Sequence, residues 1–255
     1  MRNFKLVVEY DGTAYHGFQW QVNGATIQGE LERAVREIVG QEVRVIGAGR
    51  TDAGVHALGQ VANFKSDWPH STDALRRALN SHLPADIAVR EVEDVDERFH
   101  ARFSAISREY RYTVVNREAR PAIGRQYCYH FSWTLHLDPM REACRLLVGQ
   151  HDFASFSGAS EKAISTVRCL EQADCEREGD KVYFDFRARS FLPHMVRNLV
   201  GTLLQVGTGS IGVERFAEIM RARDRGLAGP AAPARGLCLM KVNYQGGMLD
   251  ANACH

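Results

Sequence analysis

The loop at residues 47–57, with the sequence GAGRTDAGVHA, places one carboxylate, Asp52, two residues after a cation, Arg50. The glycines around this pair let the backbone turn sharply and let a large ligand approach closely. A carboxylate in such a loop can stabilise a developing positive charge, attack an electrophilic carbon or take up a proton. It can equally accept hydrogen bonds from backbone amides in a tight turn. From these residues alone, the structural turn is the simpler interpretation.

Two histidines and the cysteines bear on other kinds of chemistry. His56 follows Asp52 in the same loop, but no partner in the sequence marks it as an acid or a base, so a structural role is favoured. A metal-dependent hydrolase that uses Asp52, His56 and His16 is an alternative, although the spacing of these residues is not diagnostic. The six cysteines form no C-x-x-C pair, which argues against structural zinc and predicts free thiols in a reducing compartment.

The elements that must position the loop follow a β-α-β-β-α-β order in the first half of the chain. Helical spacing of apolar residues marks two helices, with Thr26 as the cap of the first and Ser71 or Thr72 as the cap of the second. The Asp52 loop joins the second strand to the third. The predicted segments are strand 4–10, helix 26–40, strand 42–47, strand 60–65, helix 71–84 and strand 87–95.

The second half repeats this order loosely, with Tyr110 and Tyr112 on one face of its first strand. Its predicted segments are strand 107–115, helix 138–149, strands 165–175 and 181–191, helices 193–207 and 212–223, and strand 237–244. We therefore predict an α+β fold of two ferredoxin-like (β-α-β-β-α-β) halves, with a mostly antiparallel mixed sheet and a central cleft. The predicted domains are residues 1–103, which carry the Asp52 loop, and residues 104–255.

The composition is that of an ordinary globular protein. With 255 residues, of which 45% are hydrophobic and 25% charged, the chain can bury a sizeable core. No apolar run is long enough to cross a bilayer and the N-terminus lacks the apolar core of a signal peptide, so we predict a cytoplasmic protein. The net charge is only +1. Arginine far outnumbers lysine, which suits phosphate binding but is explained equally well by biased codon usage.

Six segments resemble, in order, those of the tRNA pseudouridine synthases of the TruA type. GRTDAGVHA resembles the catalytic motif of this family, EYDGTAYHGFQWQ its N-terminal stretch and SREYRY its tyrosine-bearing strand. HDFASFS, FLPHMVRNLVG and GLCLMKVNY resemble three further segments, of which the second carries an arginine in the family. One departure is Pro193, where many relatives have an aromatic residue or histidine. A proline is tolerated at the first position of a helix, so this departure puts little in doubt.

The resemblance implies an isomerase that converts uridine to pseudouridine at positions 38, 39 and 40 of the tRNA anticodon stem-loop. In this reaction the N1–C1′ bond breaks, the uracil rotates and C5 bonds to C1′. The resemblance implies that no external cofactor or metal takes part. It also implies that the partner is tRNA, bound through its anticodon arm, and that the enzyme is a homodimer.

The resemblance also carries over residue by residue. Asp52 matches the catalytic aspartate, which would act as nucleophile, base or electrostatic stabiliser. Arg50 would fill the space left by an extruded base or clamp a phosphate, and Tyr110 would stack on the uracil and assist proton removal from C5. Arg197 matches an arginine that pairs with the aspartate. The predicted catalytic residues are thus Asp52, Tyr110 and Arg197, and the predicted substrate-binding residues are Arg50 and Tyr110.

The main alternative is a non-catalytic RNA-binding module of ferredoxin-like shape. Such a module requires exposed aromatic residues on a central strand, and YFDFRAR matches that signature only weakly. This alternative also leaves Asp52 unexplained. Several arginines outside the site could form either an RNA-binding track or a solvated face. They are Arg76, Arg77, Arg108, Arg111, Arg187 and Arg189.

Overall fold

A computed structural model describes residues 1–158 and 165–245 of the chain. Within them, the strands are β1 Arg2–Tyr10, β2 Ile46–Gly47, β3 His56–Ser66, β4 Ile87–Val95, β5 Ala105–Val115, β6 Tyr129–His130, β7 Gly149–Asp152, β8 Val167–Glu178, β9 Lys181–Ala188 and β10 Leu237–Tyr244. The helices are α1 Ile27–Val39, α2 Thr72–His82, α3 Leu137–Arg145, α4 Met195–Gly207 and α5 Val213–Ala222. Most strand pairs are antiparallel, which confirms the predicted α+β class.

The chain forms two compact units. The first contains Met1–Ile106 and the final strand from Cys238, and the second contains Ser107–Leu237. The domain boundary between residues 103 and 104 stays a prediction. The last strand was predicted as part of the second half, but from Cys238 onward it belongs to the first unit. No helix in the described part of the chain is long and apolar enough to span a membrane.

The first unit has its strands in the order β4-β1-β3-β10, with β2 beside β3. The pairings of β1 with β3 and β4 are antiparallel, whereas β10 runs parallel to β3. On β1, the alternating side chains of Phe4, Leu6 and Val8 are fully buried, as the period of a strand requires. Strand β2 is shorter than the predicted strand 42–47, because only Ile46–Gly47 pairs with β3.

Both helices of the first unit begin at capped positions. The Thr26 side chain accepts a hydrogen bond from the Gly29 amide and caps α1, and Gly40 ends this helix in a left-handed conformation. Ser71, rather than Thr72, caps α2 by accepting a hydrogen bond from a first-turn amide. Because such caps are local signals, the helix limits predicted from the sequence agree with the structure.

The second unit has its strands in the order β5-β9-β8-β7, with β6 beside β5. Strands β8 and β9 form the predicted antiparallel hairpin, and Gly179 in its turn has a φ of +60°. Strand β7 was not among the predicted segments. On β5, Tyr110, Tyr112 and Val114 are buried together on one face, as their alternation predicts.

Helix α4 begins at Met195, two residues after its predicted start at Pro193. The residue before the helix, His194, has a φ of +60° and lies in the left-handed region. Pro193 is therefore not the first helical residue, and the tolerance of proline at that position does not apply to it. Instead, its carbonyl accepts a hydrogen bond of 2.8 Å from the Gly158 amide.

The cysteines are mostly buried. Cys128, Cys144 and Cys175 are buried free thiols and Cys238 is a half-buried one. Burial raises the pKa of Cys175 to about 12 and that of Cys238 to about 11, so these two thiols are un-ionised and poorly nucleophilic at neutral pH. Cys169 is disulfide-bonded, so the expectation of free thiols is wrong for this residue.

Candidate active site

The Asp52 loop connects β2 to β3 in the first unit. Asp52 is half-buried, whereas Arg50 is exposed. The Val55 amide donates a hydrogen bond of 3.1 Å to the Asp52 carbonyl, which closes a tight turn. Gly54 within this turn has a φ of +77°, a conformation that a glycine adopts without strain.

The N-terminal motif EYDGTAYHGFQWQ packs against this loop. The Phe18 amide donates to the Thr51 carbonyl at 3.0 Å, and the Gly54 amide donates to the Tyr15 carbonyl at 3.4 Å. Gly17 has a φ of +89°, and a β-carbon there would lie 2.5 Å from the Thr51 carbonyl oxygen. Only glycine permits so close an approach. The fold thus brings together two motifs that are distant in the sequence.

A buried network of polar side chains lies next to the loop. The Tyr10 hydroxyl is 2.8 Å from Thr51 Oγ1. The Gln60 amide nitrogen donates to the Gly49 carbonyl at 2.9 Å and to the Tyr10 hydroxyl at 3.4 Å. Burial raises the pKa of the Tyr10 phenol well above its usual value, so the hydroxyl stays protonated. Tyr10 and Gln60 are not among the site residues predicted from the sequence.

His56 is a buried residue at the start of β3. Its Nδ1 lies 3.1 Å from the Gly12 amide nitrogen and 3.1 Å from a carboxylate oxygen of Asp11. These contacts support the structural role that the sequence favours for this histidine. In the part of the chain that the structure describes, no group of three His, Cys, Asp or Glu side chains could hold a metal ion. The hydrolase alternative therefore gains no support from His56 and His16.

Tyr110 lies on β5, opposite Phe186 of β9 in the second unit. Its side chain is 9% exposed, and its ring meets the Phe191 ring edge to face, with centroids 5.1 Å apart. This geometry is a favourable one for aromatic pairs and restricts the plane of the ring. Tyr112 on the same face is fully buried and donates its hydroxyl to the Pro233 carbonyl at 2.7 Å, as expected of a core tyrosine.

Arg197 lies in the first turn of α4 and is half-buried. Its Nε donates to the Ala232 carbonyl at 2.9 Å, and the Ala232 amide donates to the Arg197 carbonyl at 2.9 Å. Burial raises the pKa of Tyr112 well above its usual value, and the charge of Arg197 opposes this shift. Arg197 is therefore a cation of the second unit whose side chain is fixed by the segment after α5.

Comparison with known proteins identifies the family. The family model for tRNA pseudouridine synthases matches residues 6–104 and 143–245 of the chain. The chain belongs to the tRNA pseudouridine synthase family. Relatives named tRNA pseudouridine synthase A, from a Thermoanaerobacter species and from Methylobacterium nodulans, are each 44% identical to this synthase. These alignments cover 96% and 98% of this chain, and 100% and 99% of the relatives.

A third relative of that name, from Afipia carboxidovorans, is 46% identical over 96% of this synthase and 100% of its own length. Among solved structures, a crystal structure of a Cbf5-Nop10-Gar1 complex matches 92% of this chain and 57% of that chain at 12% identity. Its TM-score of 0.38 is too low to carry an argument. The family and these relatives establish an isomerase that acts on tRNA uridine, which confirms the predicted enzyme class over the non-catalytic module.

The predicted site residues of this synthase fall in both units. Arg50 and Asp52 belong to the first, and Tyr110 and Arg197 belong to the second. The ion pair of Arg197 with Asp52 joins residues of different units and stays a prediction. The catalytic and binding roles of the four residues also stay predictions.

Most of the arginines considered for an RNA-binding track have acidic partners. The pairs are Arg76 and Arg77 with Asp73, Arg111 with Asp185, and Arg187 with Glu171. Arg108 is only 7% exposed and donates to the Arg189 carbonyl at 2.5 Å. The carboxylates compensate the charge of their partners, so these arginines do not by themselves define a strongly basic surface of the synthase.

Proposed function

We propose that this synthase isomerises uridines at positions 38, 39 and 40 of the tRNA anticodon stem-loop, with Asp52 as the catalytic carboxylate. The observation that carries the proposal is the Asp52 turn itself. Hydrogen bonds to Thr51 and Val55 fix its backbone, while Asp52 is only half-buried and Arg50 is exposed. A carboxylate on a fixed backbone next to an exposed cation suits a reaction on a nucleotide of a polyanion.

The chemistry requires one carboxylate rather than two. Breaking the N1–C1′ bond leaves the bonding pair on uracil N1 and develops positive charge at C1′, which Asp52 can stabilise or attack. After the base has turned, C5 supplies the electron pair for the new bond to C1′. The proton lost from C5 is balanced by the proton gained at N1. Since the uracil stays bound and no water is activated, no second carboxylate is needed.

The other predicted residues have complementary roles in this proposal. Tyr110 stacks on the extruded uracil, which contributes roughly 1–3 kcal/mol for a base on an aromatic ring. The edge-to-face contact with Phe191 supports this role, because it restricts the plane of the tyrosine ring. Arg197 pairs with Asp52 and holds its carboxylate in one orientation, and Arg50 occupies the space that the base leaves or binds a phosphate.

We further propose that the synthase acts in the cytoplasm as a homodimer that binds the anticodon arm. The relatives that match it over nearly their full length are bacterial enzymes named for tRNA, which supports a substrate in the same compartment as the translation machinery. Sedimentation equilibrium should give about twice the chain mass of 28.6 kDa. A species of single-chain mass at working concentrations would contradict the dimer.

Tritium release tests both the position and the catalytic residue. An unmodified tRNA transcript labelled at C5 of uridine loses tritium when C5 bonds to C1′. Transcripts in which only position 38, 39 or 40 is a labelled uridine should each release the label, whereas a transcript with cytidine at all three should not. Release from the last transcript would contradict the proposed positions.

The same assay applies to Asp52→Asn, which should bind tRNA with unchanged affinity. Its rate should fall below about one per cent of wild type, because loss of an essential nucleophile or base costs several kcal/mol of barrier. A higher rate would overturn the assignment of Asp52.

A further inference from the structure

Two buried polar residues, Tyr10 and Gln60, contact the backbone and side chains on either side of Arg50. We propose that they are positioning residues for the isomerisation, which hold the Arg50–Asp52 turn through Thr51 and Gly49. The inference rests on the proposed catalytic role of Asp52. It extends the machinery of the reaction to residues that the family resemblance did not assign.

The geometry places one anchor on each side of the exposed arginine. The Gly49 carbonyl accepts from Gln60 Nε2 at 2.9 Å, and Thr51 Oγ1 lies 2.8 Å from the Tyr10 hydroxyl. Gln60 Nε2 also lies 3.4 Å from the Tyr10 hydroxyl, so the two anchors are linked. Gln60 is fully buried and Tyr10 is 3% exposed. Water therefore does not compete for these hydrogen bonds.

The strands that carry the anchors are paired with each other. Tyr10 ends β1 and Gln60 lies on β3, which form a long antiparallel pair. The register of this pair shifts between Val8 and Tyr10. Such irregularities are common next to active sites. Tyr10 keeps the alternation of Phe4, Leu6 and Val8 along β1, which buries its side chain, and from this position its hydroxyl contacts Thr51.

The polar character of these residues supports a role beyond packing. A buried hydroxyl or amide costs free energy unless it is hydrogen-bonded, and an apolar side chain of similar size would fill the same space without that requirement. In return, the network adds side-chain anchors to a turn whose backbone already bonds to Phe18 and Val55. A carboxylate held in one place needs less reorganisation before it meets C1′.

Variants that remove single hydroxyl groups test the proposal. Tyr10→Phe keeps the ring, Thr51→Val removes the other partner at similar volume, and Thr51→Ser keeps the hydroxyl. We expect Tyr10→Phe and Thr51→Val each to lower the single-turnover rate about five- to tenfold, the worth of one hydrogen bond. The affinity of these two variants for unmodified tRNA should stay within about twofold of wild type, because changes at sites that do not interact have independent effects. Thr51→Ser should react like wild type.

A double-mutant cycle tests whether Tyr10 and Thr51 act on the rate through their shared hydrogen bond. Because Tyr10 and Thr51 share one hydrogen bond, Tyr10→Phe/Thr51→Val should react no more slowly than the slower single variant. Multiplying rate losses would overturn the proposal. So would a loss of tRNA affinity that accounts for the loss of rate, since the network would then act on binding.

Tyr244→Phe provides a matched control in the same unit. Its hydroxyl donates to the Ala101 carbonyl at 2.7 Å, so this variant should react at the wild-type rate. Asp52→Asn is measured alongside. An active Asp52→Asn overturns the proposed function, whereas an inactive Asp52→Asn together with a wild-type rate for Tyr10→Phe overturns only the positioning role.

Discussion

The guanidinium of Arg197 is held in an orientation that suits binding of a carboxylate. Its Nε donates to the Ala232 carbonyl at 2.9 Å, which fixes the plane of the guanidinium. A planar group with one edge fixed presents its remaining donors in a defined direction, and it carries its charge at every accessible pH. A lysine carries the charge but has no planar group. It therefore cannot bind the Ala232 carbonyl and also make the proposed pair with Asp52 in the same geometry.

We predict that Arg197→Lys keeps the charge and still loses much of the rate, and that Arg197→Met loses more. Hydrogen bonds to charged groups are worth about 1.5–3 kcal/mol, so single-turnover rates should fall about tenfold for lysine and about a hundredfold for methionine. The measurement uses saturating enzyme, so that changes in tRNA affinity do not enter the rate.

The control for these variants is Arg215→Met. Arg215 is on α5 and pairs with Glu218 at 2.9 Å near the surface, so its loss should leave the rate unchanged. If Arg197→Met reacts at the wild-type rate, the proposed pair with Asp52 does not exist. Arg197 would then belong with residues that contact the RNA backbone.

The residues of the candidate site differ in how far the sequence could reveal them. Asp52 and Arg50 stood out because glycines surround them and because the motif resembles that of a known family. Gln60 lies in none of the motifs, and Tyr10 lies in EYDGTAYHGFQWQ but was assigned no role, since alternation along each strand predicts only a core residue at these two positions. The contact of Tyr10 with Thr51 and that of Gln60 with Gly49 depend on how β1 and β3 pair, which no local pattern encodes.

At the scale of elements, the sequence predicted best those boundaries of helices and strands that depend on local contacts. Helix α1 starts after Thr26 and stops at Gly40, because its caps are made within one turn. Strand β2 is shorter than predicted, because a strand requires a partner and only Ile46–Gly47 has one. The predicted start of α4 at Pro193 was wrong, because the helix begins at Met195 and His194 is the residue before it.

Helix α4 also allows a prediction about stability and rate together. A β-carbon on Gly201 would lie 1.8 Å from the Pro230 carbonyl oxygen and 3.3 Å from the Ala232 amide nitrogen. Gly201→Ala must therefore push away the segment that binds Arg197. Overpacking of this kind costs about 1–3 kcal/mol in the free energy of unfolding. Urea denaturation should show that loss, and the single-turnover rate of the folded enzyme should fall as well.

Gly29→Ala is the comparison variant, because Gly29 is also a helical glycine. A β-carbon there would lie 3.5 Å from Trp20 Cδ1 and 3.0 Å from Thr26 Oγ1, the cap of α1, which need shift by only a few tenths of an ångström. The change in unfolding free energy should stay below about 1 kcal/mol, the range of helix propensity. Equal stability and equal rates for the two variants would show that the contact of α4 with Pro230 does not matter for Arg197.

At the scale of the whole molecule, the first unit is completed by a strand from the other end of the chain. Strand β10 pairs in parallel with β3, with Cys238 opposite His56 and Leu239 opposite Ala57. His56 and Ala57 end the 47–57 segment that carries Asp52 and begin β3. The β-strand itself was predictable from its apolar residues, but its partner was not, because pairing between distant strands leaves no local pattern.

The chemistry of the whole enzyme leads to a prediction about metal ions. The proposed isomerisation balances its protons and electrons between the uracil, the ribose and Asp52, so no step calls for a Lewis acid. We therefore predict that EDTA leaves the rate of tritium release unchanged.

Because tRNA itself folds with divalent ions, the transcript is kept folded with a polyamine and its melting curve is recorded in the same buffer. A loss of activity that zinc or magnesium restores, with the melting curve unchanged, would contradict the prediction. It would favour instead a metal site that uses Asp52, and the histidines near it in the sequence, His16 and His56, would be the first ligands to test.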